Sequence, residues 1–406
     1  MGGGFATDRL DRIITGLSAH YIGTGAIPGA LLQIWRRGET RYLGMAGAMD
    51  LGRDLPMRQD AIFRIYSMTK PVTIVALLML MEQGRIDLGD PVARYIPGFA
   101  DLPVYAGGSM GAFQTRPAAR SMKVIDLLRH TSGLTYGFLN RTPLDAAYRK
   151  LAVGEAHTEG GLAAMIAQLE KLPLEFSPGE AWNYSVATDV AGYLVEKISG
   201  EKFSDFVRGH ILAPLGMTDT DFFVPAAKRD RLATCYHAQD GKLLVFDDAQ
   251  TSTFANPPRL DSGGGGLCGT AADYMRFCRM LLGGGALEDV RLLSPKSVAL
   301  MTMNHLPGGK QMTEMMPDTA AFNEAGYSGV GFGLGVAVTV NVPATGLPGT
   351  EGEYSWGGAA GTYFFADPKE DMAVVFMTQV LLAPDRIRLR RELRSLVYGA
   401  MTESFA

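Results

Sequence analysis

Apolar side chains recur at helical spacing at Leu10, Ile13, Ile14, Leu17 and Tyr21, which predicts an amphipathic helix over about 8–22. Two short apolar-rich segments follow, Ala30–Trp35 and Thr40–Met45, and Arg37-Gly38-Glu39 between them reads as a hairpin turn. Beyond Arg64-Ile65-Tyr66 a continuous helical pattern runs from Ser67 to Gly84, a good C-cap, with Pro71 in the first turn where proline is tolerated. The run Val72–Met81 is only half the ~20 residues that a membrane span needs, so it predicts a buried helix.

From about 85 to 260 the pattern is mainly helical, over 122–129, 162–172, 188–198 and 203–211, with Gly- and Pro-rich connections and few strands. After the glycine run Gly263–Gly266 another helix is expected over Ala271–Leu282. Strands return at Phe332–Val340, Tyr363–Ala366 and Met372–Thr378, the last two joined by the turn Asp367-Pro368-Lys369-Glu370-Asp371. A closing helix over about 385–399 offers Ile387, Leu389, Leu393 and Leu396 for an apolar face. Neither strand group alone would cover two terminal helices, so one shared sheet is the economical arrangement. The expected fold class is therefore α/β: an antiparallel sheet flanked by N- and C-terminal helices, with an inserted mainly helical domain. Its boundaries are set at 1–75 and 262–406 for the discontinuous α/β domain and 76–261 for the helical one, with the active site between them.

Composition narrows the function. The chain has 406 residues and a net charge of −4, so it offers no basic field, and neither nucleic acid nor a membrane is expected as a partner. Cys235, Cys268 and Cys278 cannot build a disulfide framework or a paired CxxC site and read as buried thiols. The histidines at 20, 130, 157, 210, 237 and 305 show no HExxH spacing, and His130 reads as structural; no metal and no cofactor is expected. The opening MGGGFATDRLDRI lacks the basic flank and apolar core of a secretory signal, which gives a cytoplasmic expectation. Glu351 and Glu353 read as exposed loop acids. Oligomeric state is not legible. The 50 glycines exceed the usual share of ~7% and imply much loop.

Two serine motifs compete. Gly107-Gly108-Ser109-Met110-Gly111 is a formal G-x-S-x-G, but that motif works as a turn between a buried strand and a helix. Here Pro103 spoils the preceding strand and Pro117 the following helix, so Ser109 reads as part of a glycine loop. Ser67-Met68-Thr69-Lys70 lies instead at a helix start, where residues three apart share a face, so the Lys70 amine stands beside the Ser67 hydroxyl. The unpaired backbone N–H groups of that first turn supply donors for a developing oxyanion. A serine hydroxyl needs a neighbouring base, and a lysine serves when its surroundings favour the neutral amine. A third group must carry the proton to the leaving group, and Tyr184, in the turn-rich loop Phe176–Ser185, is a candidate.

Taken in order, Ser67-Met68-Thr69-Lys70, Leu127-Leu128-Arg129-His130-Thr131-Ser132-Gly133-Leu134, and Ser177-Pro178-Gly179 with Tyr184-Ser185 resemble the serine β-lactamase-like superfamily. Pro214-Leu215-Gly216-Met217, the Gly263–Gly266 run and Trp356-Gly357-Gly358 extend the resemblance over roughly 15–380. Within it, the chain looks most like the family VIII carboxylesterases. The resemblance implies Ser67 as acyl-accepting nucleophile, Lys70 as its activating partner and Tyr184 as proton shuttle, with the formal base left open between Lys70 and Tyr184. It also implies an oxyanion hole formed by the N–H groups of Ser67 and Ala359, and a substrate-binding wall of Trp356, Gly357 and Gly358. The two glycines, without Cβ atoms, are expected to let an ester approach the strand.

Where β-lactamases carry Lys-Thr-Gly this chain has Trp356-Gly357-Gly358, and where they carry Tyr-x-Asn it has Tyr184-Ser185-Val186. A cation, a hydroxyl and an amide that would hold a β-lactam are missing, which favours uncharged esters. The expected activity is hydrolysis of small-molecule, short-chain carboxylic esters through an acyl-Ser67 intermediate, with Trp356 crowding a long acyl chain. The alternatives are a β-lactamase or D-alanyl carboxypeptidase, or an acyltransferase using the same site.

Overall fold

The computed structural model describes residues 4–156, 158–316 and 328–406; His157, one of the six histidines considered above, lies outside them. The helical spacing near the N-terminus becomes α1, Thr7–Leu17, which buries Leu10, Ile13 and Leu17 and is extended by a wider turn over Ser18–Ile22. Strands β1, Gly29–Arg36, and β2, Glu39–Asp50, form a hairpin. Its turn places Arg37 at φ 50° and Gly38 at φ 84°, the left-handed pair that suits a tight hairpin. Helix α2, Thr69–Glu82, is buried from Thr69 to Leu78, as expected of a helix apolar on all sides. Helix α3, Ala187–Ser199, packs against α2, and α4, Ala271–Leu282, packs under the sheet.

The sheet is completed by a two-residue strand β3, Leu55–Pro56, and by C-terminal strands. These are β4, Val330–Phe332; β5, Ala337–Thr339; β6, Tyr354–Gly357; β7, Tyr363–Asp367; and β8, Met372–Met377. The order is β4-β5-β6-β7-β8-β1-β2-β3, antiparallel throughout. β1 pairs with β8, Leu31 opposite Met377 and Trp35 opposite Ala373, so the two ends of the chain share one sheet. Alternation along β1 sends Leu32 and Ile34 toward α1 and the closing helix α5, Arg386–Ala400, while Leu31 and Trp35 face the core around α2 and α4. The fold is thus α/β, with an antiparallel sheet flanked by the terminal helices.

Several elements differ from expectation. The single strand expected over 332–340 is two strands, because Gly333-Leu334-Gly335 reverses the chain with Gly335 at φ 77°. Two hairpins escape the helical reading of 85–260: Val104–Gly107 with Gln114–Arg116, and Cys235–Gln239 with Lys242–Asp247. Glu353 is no exposed acid; it is 1% exposed and paired with Arg394, and burial raises its carboxyl to about 7. The three cysteines are buried free thiols. No helix among the described residues is long and apolar enough to cross a membrane.

Candidate active site

The segment that carries Ser67 enters from a short strand, Phe63–Arg64, pinned by pairing with Cys268–Gly269. Tyr66 then takes φ 42°, an unfavourable conformation for a large side chain, and a tight turn over Tyr66–Met68 leads into α2. The tight turn means that the α-helix proper begins two residues after the expected start, yet Ser67 and Lys70 keep their shared face. Lys70 is fully buried, and its Nζ stands 3.4 Å from Ser67 Oγ.

Tyr184 arrives from the other side. Its loop is held by backbone bonds to the Leu127–Leu134 segment, Gly179 N–H to the Thr131 carbonyl at 2.7 Å and Asn183 N–H to the His130 carbonyl at 2.9 Å. The Tyr184 hydroxyl donates to Ser67 Oγ at 2.6 Å, and its ring centroid lies 4.4 Å from Lys70 Nζ, a cation–π distance. Ser67, Lys70 and Tyr184 therefore meet at one point, though Tyr184 stands more than a hundred residues from the other two.

Two partners of Lys70 were missed by sequence reasoning. Its Nζ donates to the Gly264 carbonyl at 2.7 Å and to the Tyr136 hydroxyl at 3.1 Å. Tyr136 lies two residues beyond the Leu127–Leu134 motif, and that adjacency was the available signal, since nothing else marks it among 15 tyrosines. Burial, reinforced by the nearby Asp189 and Tyr184, keeps the Tyr136 phenol protonated well above the usual tyrosine range. Asp189, in the first turn of α3, accepts from Ser262 Oγ at 2.6 Å and from Gly264 N–H at 3.0 Å, and so fixes the glycine run that holds Lys70. Burial raises its carboxyl, and the Lys70 ammonium opposes that rise.

His130 is a packing residue. Its ring is wholly buried against Tyr184, Trp182 and Phe332, with Nδ1 3.2 Å from Ser185 Oγ. Burial, then the Lys70 charge, drives it well below the usual histidine range, so it is neutral here.

At the end of β6, Trp356, Gly357 and Gly358 are packed against the protein's own groups. Trp356 is fully buried and backs Tyr184, with ring centroids 5.6 Å apart, so it supports the tyrosine from behind and is not an open wall. The absent Cβ of Gly357 makes room for the Arg390 guanidinium, whose Cζ would be 2.4 Å from it. That of Gly358 makes room for Thr362 and the Ile65 carbonyl, at 2.1 and 2.5 Å. Both glycines thus accommodate the protein's own groups. Ala359 follows, its carbonyl accepting from Leu382 N–H at 2.7 Å. Ser109 is elsewhere, in the loop of the 104–116 hairpin beside the exposed Met110, with no base at hand among its described partners.

A buried serine with a lysine and a tyrosine on its hydroxyl, at the start of a buried helix beside an antiparallel sheet, can be compared with known proteins. The sequence model of the beta-lactamase family matches residues 10–398. The chain belongs to the beta-lactamase family. It is 37% identical over 359 residues to Protein Rv1367c of Mycobacterium tuberculosis, covering 87% of this chain and 86% of that one. Esterase EstB of Burkholderia gladioli is 30% identical over 394 residues, covering 91% of each chain. Among solved structures, EstCE1, described as a hydrolase with promiscuous acyltransferase activity, superposes with a TM-score of 0.79 at 27% identity, over 97% of this chain and 99% of its own.

Proposed function

We propose that this member of the beta-lactamase family is a serine ester hydrolase that works through an acyl-Ser67 intermediate. The observation that carries the reading is the Ser67 hydroxyl held at 2.6 Å by Tyr184 and 3.4 Å by Lys70. Ser67 Oγ attacks the ester carbonyl and gives its proton to the Lys70 and Tyr184 pair in the form that holds one proton fewer, with Lys70 as the neutral amine or Tyr184 as the phenolate. The alcohol leaves with a proton relayed by Tyr184. Water then attacks the acyl-serine by the reverse relay. The N–H groups of Ser67 and Ala359 receive the oxyanion. The esterase relative at 30% identity supports this reaction class.

The substrates are proposed to be uncharged and short in the acyl part. Trp356 supplies no cation for a carboxylate. Ser67 is only 9% exposed, with the rings of Tyr136 and Tyr184 over its lysine partner and Phe138 stacked on Tyr136 at 4.8 Å. Acyl transfer to an alcohol uses the same intermediate, and the acyltransferase activity in the description of EstCE1 favours it as the second reading.

The test is treatment with a sulfonyl fluoride followed by intact-mass and peptide analysis, with hydrolysis of nitrophenyl esters measured beside it. One adduct on Ser67, lost together with hydrolysis in Ser67→Ala, is expected. Full esterase activity in Ser67→Ala would overturn the assignment, and faster turnover of long than of short acyl chains would overturn the substrate class. Added alcohol that diverts product from acid to ester supports the second reading, and nitrocefin hydrolysis exceeding ester hydrolysis would favour a β-lactamase.

A further inference from the structure

Helix α5 sends two arginines one turn apart to the two ends of β6. Arg394 pairs with Glu353, just before the strand, at 3.0 Å. Arg390, 3% exposed, donates through Nη2 to the carbonyls of Gly358 at 3.0 Å and Thr362 at 3.1 Å. Its guanidinium carbon lies 5.3 Å from the Tyr363 ring centroid. The turn between those carbonyls carries Ala359 and is closed by Gly358 N–H to the Thr362 carbonyl at 2.8 Å.

In a trans peptide the carbonyl of one residue and the N–H of the next point in opposite directions. Holding the Gly358 carbonyl toward Arg390 therefore turns the Ala359 N–H away from α5. Gly358 also packs on the Ile65 carbonyl, two residues before Ser67. A cation bonded to a peptide carbonyl also polarises that peptide and makes its N–H a better donor.

We propose that Arg390 is a positioning residue of the ester reaction: it fixes the 358–362 turn so that Ala359 N–H is aimed at the oxyanion formed when Ser67 attacks. This inference rests on the Ser67 reading above. The planar guanidinium bonds two carbonyls at once with a preset geometry, which the flexible lysine head does not reproduce.

The test compares Arg390→Lys and Arg390→Gln with the unaltered enzyme on a nitrophenyl oxoester and the matched thionoester, whose sulfur is a weaker acceptor. A misaimed N–H donor lowers kcat on the oxoester about 10- to 100-fold with little change in KM. It lowers the thionoester rate much less, so the oxo-to-thiono ratio shrinks, most in Arg390→Gln. Equal loss on both substrates, or a lower melting temperature with an unchanged ratio, would overturn the proposal in favour of a structural arginine. If the Arg390 variants do not fold, Gly357→Ala displaces the same guanidinium and must shrink the ratio too; an unchanged ratio there overturns the proposal. Ser67→Ala separates the two failures. If it remains active, the site reading falls and this inference with it; if it is inactive while the ratio is unmoved in the Arg390 variants, this inference alone falls.

Discussion

Lys70 Nζ lies closer to the Gly264 carbonyl, at 2.7 Å, than to the Ser67 hydroxyl, at 3.4 Å. The lysine is therefore anchored by the backbone of the glycine run. A Cβ at Gly264 would stand 2.5 Å from Asp189 Oδ2 and 2.8 Å from the Tyr136 hydroxyl, so Gly264→Ala must displace the groups that hold Lys70. The expected result is a fall in kcat/KM of about tenfold or more, with slower sulfonyl labelling of Ser67. Unchanged turnover would refute the anchoring role.

Tyr184→Phe removes the hydroxyl but leaves the ring among Trp182, His130 and Trp356. Loss of the proton relay lowers kcat by about 10²- to 10⁴-fold, with the melting temperature nearly kept. Tyr136→Phe removes one hydrogen bond to the lysine, which corresponds to about a 10- to 100-fold loss. Steady-state kinetics of the two variants should rank them in that order.

Trp356→Ala distinguishes a buried support from a substrate wall. With the indole fully buried, the variant is expected to lose about 3–5 kcal/mol of stability and to turn over more slowly as Tyr184 loosens. Its preference among acyl chain lengths should stay the same. Improved use of long-chain esters would restore the wall.

His130 gives a pH dependence. The native state holds it neutral, with its pKa well below 6.5, whereas the unfolded chain takes up a proton near pH 6.5. The unfolded state thus binds more protons as pH falls, so stability is present above about pH 6.5 and declines below it, by about 1.4 kcal/mol per pH unit from this group. In urea titrations between pH 7.5 and 5, His130→Gln should show a shallower slope than the unaltered protein. Parallel slopes would exclude the effect.

What the sequence displayed follows from physical signals of different strength. Helix α2 was legible because its apolar run has no polar face, and Ser67 with Lys70 because three-residue spacing on a helix fixes their proximity. Tyr184 stood out locally only as one tyrosine in a turn-rich loop, and its role came from the resemblance, since nothing local marks a tyrosine that converges on a serine from another part of the chain. The 235–247 hairpin was missed for a different reason. Leu244, Val245 and Phe246 are all exposed, so the segment lacks the half-buried alternation by which strands are recognised. The surroundings of Gly357 and Gly358 were not legible because a glycine announces that something comes close, but not whether it is a substrate, an arginine of the closing helix or a neighbouring turn.

The pairing of β1 with β8 has a consequence for synthesis. Leu31 leaves the ribosome long before its partner Met377, and at roughly 5–20 residues per second the hairpin waits about 20–70 s for that strand. Throughout that interval Leu31, Leu32 and Ile34 line an unpaired edge, open to the wrong neighbour. Ser67 and Lys70 are made early as well, but β6, whose Trp356 backs Tyr184, is translated much later. Nascent chains therefore carry both side chains well before the strand that backs Tyr184 is made, and the geometry around Ser67 is complete only once that late strand is in place.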